Sequence, residues 1–461
     1  MRRFIFALAV FIGSLAWGGE RPNFLLVITD DQRWDAVGVV AKEMGEKARF
    51  SWFQTPAMDR LAREGLRFRN AFVVNSLCAP SRANFLTGAY SHNNGVTNNH
   101  TPFPASNVTH ATELRKAGYI TGYFGKWHHG QQKERPGFDV VRSFVGQGKY
   151  EDCPFNIDGE IHPTKGWVDD VTTDFAIDFL KARAGDRKNF DMVVGFKSPH
   201  DPRHPPERAK ERFKDAAPKP VPNLESSPPY RAGRATTKMR AGRGGEGFIN
   251  YFRCISAIDD DLGRLLDALD ELKLAENTVV VFTSDNGYLF GEHSLGDKRA
   301  AYEESMRIPL IIRYPKLIKA GTTSDEMALN IDYAPTILEL AGAKVPGVMQ
   351  GKSWAALLAK GDVRLRDSFF YEYFFEKGYQ TPTVTAVRTA GAKLVRYPGH
   401  EEWTELFDLK ADPFETKNLA QDAGAEGVKR EMAEVYERLT HEMGFRIPEV
   451  ADKPISASEH E

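Results

Sequence analysis

The chain has 461 residues, enough to bury one large core with a smaller subdomain beside it. Its 61 Lys and Arg residues stand against 63 Asp and Glu, so no overall field argues for nucleic acid or an anionic membrane surface as a partner.

Met1-Arg2-Arg3 precedes an apolar run from Phe4 to Ala16, followed by Gly18 and Gly19. A basic end, an apolar stretch shorter than a membrane span and small residues at its exit describe a signal peptide over residues 1–19, hence a secreted or periplasmic protein. An uncleaved membrane anchor is the alternative. No later segment is long and apolar enough to span a bilayer, so stable membrane insertion is not expected. Asn23 to Thr29 is a near-continuous apolar run, which predicts a strand buried on both faces. It ends in Asp30-Asp31. Two adjacent carboxylates repel unless a cation or hydrogen-bond donors offset them, yet alone the pair suits a solvated turn or a helix cap equally well. Met58, Leu61 and Ala62 predict a short amphipathic helix over 56–65 with Gly65 as its stop, and Phe68 to Val74 a short strand or buried turn.

Cys78-Ala79-Pro80-Ser81-Arg82 then runs into Ala83-Asn84-Phe85-Leu86-Thr87-Gly88. Pro80 suits the first turn of a helix and Gly88 its end, which puts Cys78 where unpaired N–H groups and the helix dipole favour an anion. A lone Cys is also commonly a buried small hydrophobe. Residues 90–99 are turn formers and predict a loop, placed just past the helix as a candidate substrate contact. A helix over 112–117, ended by Gly118, precedes a strand over 119–124 that delivers Gly125-Lys126-Trp127-His128-His129-Gly130. Lys126 and His128, two apart on an extended segment, point to one side; a solvated loop is the alternative.

Val171, Phe175 and Phe179 predict a helix over about 170–181, and Met192 to Phe196 a strand that breaks at the rigid turn Ser198-Pro199-His200-Asp201-Pro202. Residues 205–247 are rich in Pro, Gly, Lys and Arg and predict a long surface excursion, suited to an acidic polymer or simply solvated. Phe248 to Leu272 carries the apolar stripe of a long helix. The strand Thr278 to Phe282 ends in Thr283-Ser284-Asp285-Asn286-Gly287, whose carboxylate and amide oxygens suit Ca²⁺ or Mg²⁺. A strand over 308–312 and a helix over 331–340, interrupted near Pro335, follow. Strands over 368–375, 383–388 and 392–397 come without helices between them and predict antiparallel pairing; a helix over 427–442 and a polar tail after Pro448 close the chain. The alternation up to about residue 345 predicts an α/β sheet flanked by helices, with functional groups at strand carboxyl ends. The chain divides into a catalytic unit over 20–365 and an α+β subdomain over 366–461.

Cys-Ala-Pro-Ser-Arg followed by Ala-x-Phe-Leu-Thr-Gly resembles the signature of the type I, formylglycine-dependent sulfatases of the alkaline phosphatase-like superfamily. The Asp30-Asp31, Gly125-Lys126-Trp127-His128, Ser284-Asp285-Asn286-Gly287 and Asp297-Lys298-Arg299 segments resemble further motifs of that family in the same order, and Glu405 to Asn418 resembles the close of its chains. The resemblance implies a large alkaline phosphatase-like sheet with a smaller C-terminal antiparallel sheet. It implies that a formylglycine-generating enzyme converts Cys78 to an aldehyde, and that Asp30, Asp31, Asp285 and Asn286, with position 78, hold one Ca²⁺. It further implies that Lys126 and His128 face the sulfate, that Arg82, Lys126 and Lys298 supply positive charge placed in advance, that a hydrated aldehyde oxygen attacks sulfur, that His200 with Lys298 protonates the leaving oxygen (His204 being the fallback), and that His128 takes a proton as sulfate is expelled. His129 has no counterpart. With Cys78 so explained, Cys153 and Cys254 remain, free to pair only if the fold brings them together. The implied function is hydrolysis of the sulfate esters of a poly- or oligosaccharide, on the polar loop, the basic excursion and a likeness of the 90–99 loop to glucosamine-6-sulfatases. Alternatives are a small-molecule aryl or alkyl sulfatase, a phosphoester hydrolase of the same fold, or a non-catalytic glycan-binding relative.

Overall fold

The structure, a computed structural model, describes residues 20–186, 188–231 and 245–453. The signal-peptide segment, residues 232–244 of the basic excursion and the end of the tail lie outside the described residues. The first apolar run forms β1 (Asn23–Thr29), buried along its whole length. Phe24, Leu26 and Ile28 enter one core while Leu25 and Val27 enter another. A strand with apolar side chains on both faces requires a layer on each side.

Nine more strands join it: β2 (Leu66–Phe72), β3 (Ile120–Lys126), β4 (Val140–Phe144), β5 (Phe155–Ile157), β6 (Glu160–His162), β7 (Phe190–Gly195), β8 (Thr278–Ser284), β9 (Leu310–Arg313) and β10 (Thr322–Leu329). Their order is β10-β2-β9-β8-β1-β7-β3-β4-β5-β6, with β8, β1, β7, β3 and β4 parallel. The helices Pro56–Glu64, Val168–Arg183 and Glu246–Glu271 pack on one face. The helices Cys78–Thr87, His110–Lys116, Tyr333–Leu340 and Ala355–Lys360 pack on the other. A separate antiparallel sheet, β11 (Ser368–Tyr373), β12 (Val384–Thr389), β13 (Ala392–Arg396) and β14 (Glu405–Asp408), shares a third core with the Glu426–Glu442 helix. Among the described residues no helix is long and apolar enough to cross a membrane.

Several expectations are corrected. Pro335 does not interrupt its helix; it is the third residue of Tyr333–Leu340, where a missing N–H costs nothing. The 90–99 segment contains a helical turn, Ser91–Asn94, and is largely buried. Residues 205–231 do not simply cross the surface: Asn223 is fully buried and donates from Nδ2 to Glu304 at 2.8 Å. Cys153 and Cys254 are buried free thiols.

Candidate active site

Because β1, β3, β7 and β8 are parallel, the segments leaving their carboxyl ends converge on one edge of the sheet. Backbone bonds lock them together: Asp30 N–H donates to Ser198 O at 3.0 Å and Asp285 N–H to Thr29 O at 3.0 Å. Asp31, in left-handed backbone (φ 70°), donates its N–H to the Asp285 carboxylate at 3.1 Å. Close approach of β3 and β7 is possible because residue 195 is glycine; a Cβ there would meet Lys126 O at 2.5 Å and Arg82 Nη1 at 2.9 Å.

Facing this edge is the first turn of the Cys78–Thr87 helix, every residue of which is buried. Leu77 has no capping side chain to offer, and Asn99 Oδ1 accepts the Ala79 N–H at 3.0 Å instead. Cys78 Sγ lies 3.3 Å from Asp30 Oδ1 and 3.0 Å from Lys298 Nζ. Lys298 also donates to Asp31, and Lys126 to Asp30 and, at 2.6 Å, to Gln147 Oε1. Arg82 donates to Asp285 at 2.9 Å and to Lys126 O at 2.8 Å. Asn286 Nδ2 donates to Asp31 Oδ1 at 2.6 Å.

Three carboxylates, one thiol and three cations are thus removed from water. Burial opposes ionisation of Asp30, but Lys126 foremost, with His200, Lys298 and Arg82, outweighs it and holds Asp30 well below the usual carboxylate range. Burial lifts Asp31 against the pull of Lys298, and lifts Asp285 to about 7 with the charge of Asp30 adding to it. Burial and then Asp30 push the Cys78 thiol well above its ordinary value, so as a thiol it is a poor nucleophile. Burial, with Lys126 next, keeps His128 neutral, and burial likewise lowers His200.

Ligand atoms of Asp30, Asp31, Cys78 and Asp285 all lie within 4.8 Å of one another. The buried Asn286 Oδ1 has no hydrogen-bond partner. Hard oxygens in this number, with one oxygen unsatisfied, fit a divalent cation such as Ca²⁺.

The sequence-identified residues Asp30, Asp31, Cys78, Arg82, Lys126, Asp285, Asn286 and Lys298 therefore form one contact network. His200 joins it, its ring within 4.8 Å of Asp30 and Cys78, whereas His204 is exposed and outside the cluster. His200 Nδ1 is engaged by Asp201 O at 2.7 Å, which leaves Nε2 for the cleft. His128 is buried beside Lys126, but not by strand alternation: β3 ends at Lys126 and His128 turns into left-handed backbone (φ 57°). His129 is fully buried among Phe103 and Trp127 as a packing residue.

Sequence reasoning missed Gln147, which braces Lys126; Asp169, whose carboxylate accepts the Lys197 and Ser198 N–H groups at 2.7 and 3.1 Å and so holds the His200 turn; and Glu376. Glu376 follows β11, is fully buried, accepts the Asn99 N–H at 3.2 Å and takes Arg299 Nε and Nη2 at 2.8 and 2.6 Å. None has a local sequence signal, because each acts on a residue far along the chain. A cavity of about 1050 Å³ opens from Asp31, His200 and Lys298, and its wall includes Asn99, Gln147, Arg231 and Tyr379.

Residues 22–343 match the family model described as sulfatase, and residues 291–442 match that of the N-sulphoglucosamine sulphohydrolase C-terminal region. An N-acetylglucosamine-6-O-sulfatase of Bacteroides thetaiotaomicron is 33% identical over 91% of this chain and 86% of its own. An ulvan-active sulfatase of Formosa agariphila is 29% identical over 92% and 82%. Among solved structures, a protein in complex with its substrate D-glucosamine-2-N,6-O-disulfate superposes with a TM-score of 0.83 at 31% identity, over 94% of this chain and all of the other.

Proposed function

The chain belongs to the sulfatase family, and from that premise we propose that it hydrolyses sulfate esters of a carbohydrate, with a 6-O-sulfated glucosamine unit as the first candidate. The observation that carries this reading is Cys78 at the start of a buried helix, set between Asp30 and Lys298, the second of which lines a cavity with room for a sugar. A thiol whose ionisation burial opposes is no nucleophile, which supports conversion of Cys78 to formylglycine by a maturation enzyme; the hydrated aldehyde supplies the attacking oxygen.

Sulfate esters resist attack because the nucleophile approaches an anion and an alkoxide must leave, so positive charge fixed in advance lowers the barrier. Arg82, Lys126 and Lys298 supply it, and their buried partners keep them from reorganising. Asp30, Asp31, Asp285 and Asn286, with position 78, would hold Ca²⁺, which adds fixed charge and offsets their mutual repulsion. His200 Nε2 and Lys298 line the cavity where the leaving sugar oxygen would sit and are the groups placed to protonate it. His128, neutral and buried, is placed to accept a proton. We infer a division into a catalytic unit to residue 365 and a C-terminal subdomain from 366, and secretion or periplasmic residence on the N-terminal segment.

The test is mass spectrometry of the tryptic peptide Asn70 to Arg82 from protein made in its native host, together with sulfate release from sulfated sugars, a nitrophenyl sulfate and a phosphodiester. An aldehyde at position 78 with preferential release from sugars is the expected result. A thiol in native material overturns the catalytic reading in favour of glycan binding; preferential cleavage of the aryl sulfate or phosphodiester overturns the carbohydrate assignment.

A further inference from the structure

Several charged groups on the cavity wall are matched by partners. Arg203 pairs with Asp201 at 3.3 Å, Arg299 with Asp297 and Glu376, and Lys298 with Asp31. Glu246 sits in the first turn of its helix, where the dipole favours an acid. Among the described residues the Arg231 side chain makes no hydrogen bond or ion pair, and its Nε is buried without a partner. The neighbouring Tyr230 hydroxyl is buried beside Thr381. Both residues line the cavity, together with the polar Gln380 and Thr381 of the β11–β12 loop. Tyr230 is anchored by rings between β13 and β14, 5.6 Å from Tyr397 and 6.4 Å from Trp403. Leaving a guanidinium N–H out of water without a partner is costly unless a ligand supplies one.

We propose that Arg231 and Tyr230 form a second anion subsite, which reads a sulfate or carboxylate of the substrate other than the ester being cleaved. This rests on the carbohydrate sulfatase reading, and it makes the substrate a polyanionic sugar. A guanidinium binds such planar or tripodal oxyanions through paired N–H donors, and the phenol adds a third.

The experiment compares kcat/KM on glucosamine 6-sulfate, on glucosamine N,6-disulfate and on a uronic acid linked to 6-sulfated glucosamine, for wild type, Arg231→Ala and Arg231→Lys. Wild type is expected to prefer at least one dianionic sugar by about tenfold, mostly through KM. Arg231→Ala should collapse that preference and Arg231→Lys should restore part of it; which dianionic sugar is preferred tells sulfate from carboxylate. Equal rates on all three sugars in wild type, or an Arg231→Ala protein that keeps the preference, overturn the subsite. Calorimetric titration of the same sugars separates the two readings. If none is hydrolysed the carbohydrate sulfatase reading falls, while a tenfold binding advantage of the dianion that Arg231→Ala abolishes sustains the subsite.

Discussion

Position 78 is where a single atom decides the outcome. Its side chain contacts Lys298 and Asp30 and is fully buried. On the reading proposed above, in Cys78→Ser one hydroxyl replaces the two of a hydrated aldehyde, so attack on sulfur remains available while the hydroxyl that would expel sulfate is gone. We expect that variant to lose steady turnover by at least about 100-fold, the scale of a lost proton-transfer step, and to retain one covalent sulfate in intact mass spectra; steady turnover would refute the cycle. Groups at this scale were legible when the chemistry itself names them: a carboxylate pair at a strand end, a Cys before Pro-Ser-Arg, an Asp-Asn pair after a strand. Gln147, Asp169 and Glu376 were illegible because an isolated Gln, Asp or Glu is ordinary, and its partner lies 21, 28 or 277 residues away.

At the scale of elements, the buried central strands β1, β7 and β8 announce themselves as apolar runs, whereas β5 and β6 have three residues each and β10 reads Thr-Thr-Ser-Asp-Glu before its apolar end. An edge strand with a wet face carries no such signal. Joints between elements are equally hidden. Asp259, on the Glu246–Glu271 helix, accepts the Ala57 and Met58 N–H groups at 3.0 and 2.8 Å and so caps the Pro56–Glu64 helix from outside. Burial pushes its carboxyl from 3.8 up to about 7 despite those bonds. The unfolded chain gives up this proton near 3.8 and the folded one near 7, so the contribution to stability is complete below about pH 4 and is lost as pH rises through about 7. Asp259→Asn keeps one acceptor and has no proton to lose. It should be less stable than wild type by about 1 kcal/mol in acid, with the gap closing as pH rises above about 4 and reversed by about pH 7; denaturant titrations across that range check this, and a gap independent of pH would contradict it.

For the whole molecule, the small sheet is part of the active-site frame. Glu376 reaches from the end of β11 to Asn99, which caps the Cys78 helix, and to Arg299, which adjoins Lys298. Glu376→Ala leaves a buried guanidinium with only Asp297, and should cost on the order of 2 kcal/mol in stability. It should also lower kcat on nitrophenyl sulfate, which never touches the sugar subsites. Unchanged kcat in a folded variant would show that the second sheet merely adjoins the site. The interment of residues 78–87 has a temporal corollary on the reading proposed above. Once Glu376 has closed over Asn99, no maturation enzyme can reach the thiol, so modification competes with synthesis of roughly 300 further residues, a window of about 15–60 s at ribosomal speed. Chains that fold first are stranded: overproduction should yield a permanently unmodified fraction that later exposure to the maturation enzyme does not rescue, and slower expression should shrink it.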